Sequence, residues 1–387
     1  MKNSLGNPAR GDAFYDRKKE IAKIYRVLEA GTSIYLSAPR RVGKTSILKH
    51  LEEFPKENFY FVYIITESID SSNEFFKAIF EEIIKSDAIK KLEQISVAVK
   101  NVIVGLMGKV KSIYNVELRE NGETDYYELL VELFSHLKPD YGKVVIMIDE
   151  FPQTIQNIME KDGGPIAEAF IQKNRELRHH KYLQDKISFI YTGSVSLFPM
   201  VEKVTSLTSV NDLRTVEVNP LSKEDAADFI RQLMKNEDFS LNDELIDSLL
   251  SKVGWLIPFH LQLMQQEIID VFESTGKEID ESGIDKAYDQ IVHTRNKPQF
   301  EPYFGRLTKI FKGGEFNFVM EVLTFTAQNS TVDELVIADK GVKFNIADTK
   351  NTMSILEGDG YLFKTADGLY RYTSPILQLW CKKHICK

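Results

Sequence analysis

The chain has 387 residues, of which 43% are hydrophobic and 27% are charged, and its formal net charge at pH 7 is −8. This length predicts two or three domains, and the composition is that of a globular protein. The acidic balance excludes a whole-chain attraction to nucleic acid or to an anionic membrane. The two cysteines, Cys381 and Cys386, fit neither a disulfide framework nor a metal site, and no apolar run reaches the length of a membrane span. We therefore expect a cytoplasmic protein with no membrane partner.

The first elements in chain order are an amphipathic helix and a short strand. Residues 14–28 carry four apolar side chains at helical spacing, and residues 34–36 form an apolar run. A loop then leads into a helical pattern that begins near Lys44. It reads Ala38, Pro39, Arg40, Arg41, Val42, Gly43, Lys44, Thr45 and Ser46.

This strand, loop and helix have the arrangement of a P-loop, so we call residues 38–45 the phosphate loop. In such loops, backbone N–H groups and the positive end of the following helix face phosphates. Lys44 is expected to reach the β and γ phosphates, and the Thr45 hydroxyl is expected to hold Mg²⁺. Ala38 occupies the position of the first glycine of the motif, so the first turn is expected to form without glycine's freedom at positive φ.

The next segment predicts a strand, an insertion and two helices. Residues 58–65 are nearly all apolar or aromatic, which is typical of a parallel strand covered on both faces, and a helix follows near Phe75. Residues 86–122 are interpreted as a mostly helical insertion, although residues 112–119 fit a hairpin strand equally well. A helix at 126–137 and a turn at 139–142 complete the segment.

A second motif follows the apolar strand predicted at residues 143–149. The strand ends in Asp149 and Glu150, and a buried strand has no use for carboxylates. They are expected in the crevice at the carboxyl ends of the strands, where open α/β sheets bind ligands. There Asp149 would hold Mg²⁺ and Glu150 would take a proton from the attacking water. The alternative is that the two acids cap the next helix.

The remaining part of the sheet is predicted from two further strands. A helix at 166–180 precedes a strand that ends in Thr192, Gly193 and Ser194, and another strand covers 213–218. The hydroxyls of this strand end, on Thr192 and Ser194, are candidates for contacting the γ phosphate or positioning the lytic water, and the alternative is ordinary turn chemistry.

From Ser222 onward the pattern changes to helices. Residues 300–314 are interpreted as a link to a last unit, in which three helices precede a hairpin at 361–372. This is the layout of a winged helix, a fold that often binds DNA. Residues 313–387, however, contain nine acidic and eight basic side chains. That balance favours a winged helix that packs against protein over one that reads DNA.

The order of these motifs resembles that of the AAA+ type P-loop ATPases, and most closely the archaeal-type ATPase branch of the STAND group. The resemblance covers about residues 12–385. It rests on residues 14–20 as the N-terminal box, 38–45 as Walker A, 149–150 as Walker B, 192–194 as the sensor-one strand end, and Gly254 with Pro258 as the lid motif.

The resemblance implies further site residues. It assigns nucleotide contacts to Tyr15 and Arg17 of the N-terminal box, where Asp16 stands in place of the family's glycine, and to Pro258 of the lid. It also implies that nucleotide lies between the sheet and the lid. The role of His260 stays open. No arginine finger is assigned, and the candidates are Arg175, Arg178 and Arg214.

We therefore predict an α/β fold: a parallel P-loop NTPase sheet flanked by helices, followed by an all-α lid and a C-terminal winged helix. The predicted domains are 1–219 with the insertion at 86–122, 220–299, and 300–387. The predicted activity is hydrolysis of ATP to ADP with Mg²⁺, with Lys44, Glu150 and Ser194 as catalytic residues. Nucleotide is expected to control the conformation of the chain, and a protein partner or self-association is expected through the lid or the winged helix.

Two other classes of function stay open. One is a DNA-binding initiator or transposition-helper ATPase that uses the winged helix, with DNA as a partner that the charge does not favour. The other is a scaffold that holds ADP without hydrolysing ATP.

Overall fold

The computed structural model describes residues 1–15, 17–87, 89–90, 96–117, 124–138, 142–183 and 185–386. The chain divides into two compact units. The sheet unit consists of Asp16–Ser37 and Lys44–Val218, and the C-terminal unit consists of Met1–Tyr15, Ala38–Gly43 and Asn219–Lys387. Most of the phosphate loop therefore groups with the C-terminal unit, although the residues on either side of it belong to the sheet unit. The finer division into three domains stays a prediction.

Five parallel strands form the sheet, which confirms the predicted α/β class. They are β1 (Ile34–Ser37), β2 (Phe59–Ile65), β3 (Lys143–Asp149), β4 (Ile187–Thr192) and β5 (Arg214–Glu217), in the order β2-β3-β4-β1-β5. The strands with continuous apolar runs, β3 and β4, lie inside the sheet and are almost entirely buried. Burial on both faces explains why their sequences do not alternate between apolar and polar residues.

The strand register sets which chain segments meet at the carboxyl edge of the sheet. Strand β4 lies between β1 and β3, with Leu36 opposite Thr192 and Ile148 opposite Tyr191. The residues that follow β1, β4 and β3 therefore come from adjacent positions along one edge.

Eight described helices belong to the sheet unit. They are α1 (Lys18–Glu29), α2 (Lys44–Glu53), α3 (Ser72–Lys85), α4 (Val97–Glu117), α5 (Tyr126–Ser135), α6 (Phe151–Asp162), α7 (Gly164–His179) and α8 (Leu197–Glu202). Helix α4 continues to Glu117, so the hairpin alternative is wrong for residues 112–117. Buried apolar residues at helical spacing in its first half, Val99, Ile103 and Leu106, outweigh the short alternating pattern. Residues 118–119 of that alternative and 139–141 of the predicted turn lie outside the described residues.

An aromatic core supports the end of β3. The rings of Phe75 and Phe170 meet edge to face with centroids 4.9 Å apart, and those of Phe151 and Tyr191 lie 4.6 Å apart. All four side chains are buried. Because Phe151 directly follows Glu150, this packing fixes the point where the chain leaves β3 and enters α6.

The C-terminal unit contains nine described helices and one hairpin. They are α9 (Lys223–Met234), α10 (Asp243–Val253), α11 (Pro258–Thr275), α12 (Glu281–Ile291), α13 (Lys297–Ile310), α14 (Gly313–Asn329), α15 (Glu334–Lys343), α16 (Thr349–Gly358), β6 (Leu362–Lys364), β7 (Tyr370–Tyr372) and α17 (Pro375–His384). Strands β6 and β7 are antiparallel. Among the described helices of the whole chain, none is long and apolar enough to cross a membrane.

Most of the expected link at residues 300–314 is helical, because Lys297–Ile310 form helix α13. Phe300, Tyr303 and Leu307 recur at helical spacing and are buried. Pro302 lies inside the helix and cannot donate a backbone hydrogen bond, which makes the sequence look like a connection. The ring of Phe300 stacks at 4.5 Å on that of Trp380 in α17, a helix that the sequence pattern did not predict.

Candidate functional site

An oxygen-rich cluster surrounds Asp149 at the carboxyl end of β3. The Thr45 hydroxyl donates a hydrogen bond of 2.9 Å to Asp149 Oδ2, and the Tyr63 hydroxyl donates one of 3.0 Å to the same atom. The Asp149 side chain is buried. Burial, and to a lesser degree the Glu150 carboxylate, raises the pKa of Asp149, while the hydrogen bonds from Thr45 and Tyr63 oppose that rise.

These oxygens fit a small divalent cation. The structure places the two predicted metal ligands, Thr45 and Asp149, within hydrogen-bond distance of each other. Hydroxyl and carboxylate oxygens are the ligands that Mg²⁺ prefers. Lys44 is the first residue of α2 and is buried, so a positive charge lies one residue before Thr45.

Backbone hydrogen bonds hold Asp149 in place from the β2 side. The backbone N–H and the hydroxyl of Thr66 both donate to the Asp149 carbonyl oxygen at 3.0 Å. The Thr154 hydroxyl of α6 in turn lies 2.8 Å from both oxygens of Thr66. These two threonines and Tyr63 were missed by the sequence analysis, because their roles depend on the register of β2 against β3.

The carboxylate of Glu150 is paired with Ser194. Its Oε2 atom accepts hydrogen bonds from the Ser194 backbone N–H at 3.0 Å and from the Ser194 hydroxyl at 2.7 Å. Glu150 itself has φ of 64°, a left-handed conformation that costs a non-glycine residue about 1 kcal/mol or more. The Thr192 hydroxyl donates to the Leu36 carbonyl at 2.9 Å and so links β4 to β1.

Gly193 allows this pairing, and its replacement by alanine is expected to disrupt it. A Cβ atom at Gly193 would lie 2.6 Å from Pro152 Cδ and 3.5 Å from Glu150 Cα. We expect Gly193→Ala to lower the free energy of unfolding by about 1–3 kcal/mol, because the backbone must shift to relieve the clash. Urea unfolding measures the loss, and hydrogen exchange at the Ser194 amide reports whether its bond to Glu150 persists.

The matched control for that variant is Gly105→Ala in helix α4. A Cβ atom at Gly105 meets no other atom within 4 Å. We expect this substitution to leave stability equal or to raise it by roughly 0.5–1 kcal/mol, since alanine favours helix over glycine. Equal unfolding midpoints for Gly193→Ala and the wild type would show that the close approach to Pro152 does not constrain the site.

The loop segment Ala38–Gly43 has left-handed backbone at two positions. Arg41 has φ of 63° and Gly43 has φ of 111°, whereas Ala38 is outside the positive-φ region. The alanine in the first position of the motif therefore needs no glycine-like conformation. Alternation of left-handed with ordinary residues is a way in which a loop turns its N–H groups to one side and forms an anion site.

The two arginines of this segment contact helices α11 and α13. The Arg41 guanidinium carbon lies 3.9 Å from the centroid of the Phe259 ring, and its Nη1 donates to Gln299 Oε1 at 3.3 Å. Arg40 Nη1 donates to the Pro302 carbonyl at 2.7 Å. The Tyr303 ring lies 5.7 Å from the Arg40 guanidinium and 5.6 Å from that of Arg41. Burial lowers the pKa of Arg41.

The other predicted nucleotide contacts fall in different units. Tyr15 belongs to the C-terminal unit, where its hydroxyl donates to Asp228 Oδ2 at 2.9 Å and its ring meets that of Phe229. Arg17 belongs to the sheet unit, is buried and pairs with Glu20 at 3.2 Å. Asp16 lies outside the described residues. Pro258 is the first residue of α11, and its neighbour Phe259 is the residue that contacts Arg41.

His260 and Gly254 serve the packing of the C-terminal unit. The His260 imidazole is only 1% exposed, and its pKa is lowered to about 3. Burial is the main cause and the Arg41 guanidinium adds to it, whereas the nearby Trp255 backbone works in the opposite direction. Gly254 has φ of 65°, and a Cβ atom there would lie 2.8 Å from Pro375 Cγ.

The buried imidazole predicts a loss of stability in mild acid. Below pH 6.5 the unfolded chain binds a proton at His260, whereas the folded chain stays unprotonated there until about pH 3. The free energy of unfolding therefore decreases as the pH is lowered from 6.5 towards 3. The expected contribution is about 2 kcal/mol between pH 7 and pH 5. Urea unfolding at both pH values should show a smaller decrease for His260→Leu than for the wild type. An exposed control, His136→Leu, should keep the full decrease; equal losses in all three proteins would contradict the assignment.

None of the three candidate arginine fingers is assigned by its contacts. Arg178 donates to both carboxylate oxygens of Asp212, at 2.6 and 2.9 Å. Burial alone would lower its pKa, but Tyr191 and Asp212 raise it overall, so Arg178 is held as a buried cation within the sheet unit. Arg175 donates to Asn211 at 3.1 Å, and Arg214 is exposed on the edge strand β5.

The parallel sheet with β4 between β1 and β3, the loop before α2 and the Thr45–Asp149 pair define a P-loop ATPase domain that binds nucleotide. The chain belongs to the family of ATPase domains found predominantly in Archaea, whose family model matches residues 14–254.

Solved structures support the same fold. The Walker-type ATPase PABY2304 of Pyrococcus abyssi is 16% identical with a TM-score of 0.65, and the similarity covers 98% of this chain and 99% of that one. The ORC2 protein of Aeropyrum pernix, in ADPNP and ADP complexes, is 11% identical with a TM-score of 0.53, over 95% of this chain and 93% of that one. No curated protein matches the sequence.

Proposed function

We propose that this protein is a Mg²⁺-dependent ATPase of the STAND type that acts as a nucleotide-controlled conformational switch. The observation that carries the proposal is the arrangement of Thr45, Asp149, Glu150 and Ser194 at one edge of the sheet. It combines oxygen ligands for a cation with a carboxylate base, directly after a loop of P-loop sequence. Family membership supports the ATPase part of the proposal.

Two groups of residues would bind different parts of Mg-ATP, the phosphates and the cation. The backbone N–H groups of Ala38–Gly43 and the ammonium group of Lys44 would bind the phosphates. The Thr45 hydroxyl and the Asp149 carboxylate would hold Mg²⁺, which when bound offsets the negative charge of the β and γ phosphates. Tyr63 positions Asp149 through its hydrogen bond to Oδ2. Tyr15, Arg17 and Pro258 stay proposed contacts of the nucleotide.

Hydrolysis requires a base that receives a proton from water. The water oxygen attacks the γ phosphorus, the bond to the bridging oxygen breaks, the proton passes to the Glu150 carboxylate, and ADP leaves. The two hydrogen bonds from Ser194 hold that carboxylate in one orientation. Ser194 is therefore proposed to act as a positioning residue for the base, in addition to its predicted proximity to the γ phosphate.

The switch part of the proposal depends on chain connectivity. Residues Ala38–Gly43 group with the C-terminal unit, and Lys44 begins a helix of the sheet unit. The stretch that is proposed to bind the triphosphate is therefore continuous in sequence across this division. ATP and ADP differ in the γ phosphate, which supplies the differential contact that a ligand-driven change requires.

A protein partner fits the charge of the C-terminal unit better than duplex DNA does. Lys340 and Lys343 both pair with Glu321, at 3.0 and 3.4 Å, and Lys364 pairs with Glu334. Lysines that are engaged with carboxylates contribute little net positive charge toward a phosphate backbone. Salt-sensitive binding to duplex DNA would revive the initiator alternative.

Small-angle scattering of Glu150→Gln with Mg-ATP and with Mg-ADP tests the switch. This variant should hold ATP without consuming it, so the two profiles compare the two nucleotide states of one protein. We expect different radii of gyration. Identical profiles would contradict the switch, and ADP that copurifies with a chain lacking turnover would identify the scaffold alternative instead.

A further inference from the structure

Pro39 packs into a tight contact near the start of β6. A Cβ atom at Gly360 would lie 2.7 Å from Pro39 Cβ and 3.1 Å from the Trp255 ring. Gly360 has φ of 79°, so glycine satisfies both the backbone and the space at this position. The contact restricts the phosphate loop at the residue just before the two arginines.

Arg41 is the strained residue of the loop. Its φ of 63° is unfavourable for any residue with a side chain and persists only where the surroundings enforce it. Here the enforcing contacts are the stacking of the guanidinium on Phe259 at 3.9 Å and the hydrogen bond to Gln299. Helices α11 and α13 of the C-terminal unit therefore hold the Arg41 side chain.

The surface that contacts the arginines is buried and hydrogen-bonded. Tyr303 is 2% exposed, and its carbonyl oxygen accepts a hydrogen bond of 2.5 Å from the Tyr361 hydroxyl. The Tyr303 hydroxyl has no hydrogen-bond partner within the part of the chain that the structure describes. It is the face of the Tyr303 ring, and the neighbouring Pro302 carbonyl, that contact the arginines.

We propose that Phe259 and Tyr303 are positioning residues for the phosphate loop and act through Arg40 and Arg41. They hold Arg41 in the left-handed conformation in which the loop is preformed for phosphate, so the C-terminal unit sets nucleotide affinity. Arg41 is then an anchor of the loop and not a ligand of the phosphate. This inference rests on the proposed binding of ATP by the loop.

Two substitutions of Arg41 separate the anchor from the phosphate ligand. Arg41→Ala removes the anchor and keeps the backbone penalty, whereas Arg41→Gly removes the anchor and the penalty together. We expect Arg41→Gly to bind Mg-ATP at least about fivefold more tightly than Arg41→Ala, as measured by titration calorimetry. If Arg41 binds phosphate directly, Arg41→Gly also loses that charged contact and binds Mg-ATP about tenfold or more weakly than the wild type, whereas loss of an anchor alone leaves Arg41→Gly within about threefold of the wild type.

The second arm tests Phe259 through its coupling to Arg41. We expect Phe259→Leu to weaken Mg-ATP binding at least threefold in the wild-type background and to have little further effect in the Arg41→Gly background. The matched control is Phe272→Leu in the same helix, whose ring stacks on Phe239 at 4.3 Å. It should have no effect in either background. Tyr303→Phe should bind Mg-ATP more tightly than Tyr303→Leu, because phenylalanine keeps the aromatic ring near the two guanidinium groups.

Several results would overturn the inference. They are equal affinities of the two Arg41 variants, an Arg41→Gly affinity about tenfold or more below that of the wild type, or a Phe259→Leu effect that persists unchanged in Arg41→Gly. Failure of the proposed function looks different, because the wild type would then bind no Mg-ATP at all. Circular dichroism and unfolding midpoints confirm that each compared variant is folded.

Discussion

Replacement of Glu150 by glutamine is expected to lower kcat for ATP hydrolysis at least 100-fold while the Kd for ATP changes less than about threefold. Glutamine keeps the size of the side chain and its oxygen can still accept from Ser194, but it cannot take the proton of the attacking water. A continuous phosphate-release assay measures kcat, and equilibrium titration with ATP measures Kd.

The control for this variant is Glu202→Gln. Glu202 lies at the end of α8 and is exposed, so its loss of charge should leave turnover unchanged. Unchanged turnover in Glu150→Gln would show that Glu150 is not the base. Its pairing with Ser194 would then be only a structural feature of the end of β3.

Replacement of Lys44 by alanine is expected to weaken ATP binding by about 100-fold or more and to abolish measurable hydrolysis. The ammonium group at the start of α2 is buried and would form charge-assisted hydrogen bonds with the β and γ phosphates. Its loss removes one of the positive charges that would compensate the phosphates, and a hundredfold loss of affinity corresponds to about 2.7 kcal/mol. Calorimetry with Mg-ATP and with Mg-ADP measures the effect on both nucleotides.

Lys19→Ala is the matched control for the lysine variant. Lys19 is exposed on α1, and its removal changes the net charge of the chain by the same amount. ATP affinity should therefore stay at the wild-type value in Lys19→Ala. If Lys44→Ala also binds ATP as the wild type does, the loop is not the phosphate site.

The sheet was predictable because burial leaves a clear mark on the sequence. Strands β3 and β4 are apolar throughout, and a pair of acids directly after such a run has to lie at an edge. The same reasoning predicted that Asp149 would be near Thr45. In the structure the Thr45 hydroxyl lies 2.9 Å from Asp149 Oδ2. Both features depend on local patterns and on the general geometry of parallel sheets.

The rest of the site depends on long-range register and could not be predicted. Tyr63 reaches Asp149 only because β2 pairs with β3 in one particular register. Phe259 and Tyr303 lie more than 200 positions after the arginines that they contact, and nothing local distinguishes them from other buried aromatic residues. Helix α13 was not predicted because it contains Pro302, and a proline inside a helical pattern usually marks the end of a helix.

The phosphate loop illustrates both outcomes. Its sequence predicted a strand, loop and helix, and all three are present. The sequence indicates Ala38 as the unusual position of the loop, because it replaces a glycine, but the strained position is Arg41. A left-handed arginine is costly in isolation, and it becomes understandable only when its contacts with Phe259 and Gln299 are known.

Phosphate release from ATP by the full chain, with Mg²⁺ and with a chelator, tests the central claim most directly. We expect steady phosphate release that requires Mg²⁺ and disappears in Lys44→Ala. A folded wild-type chain that releases no phosphate from ATP in the presence of Mg²⁺ would contradict it.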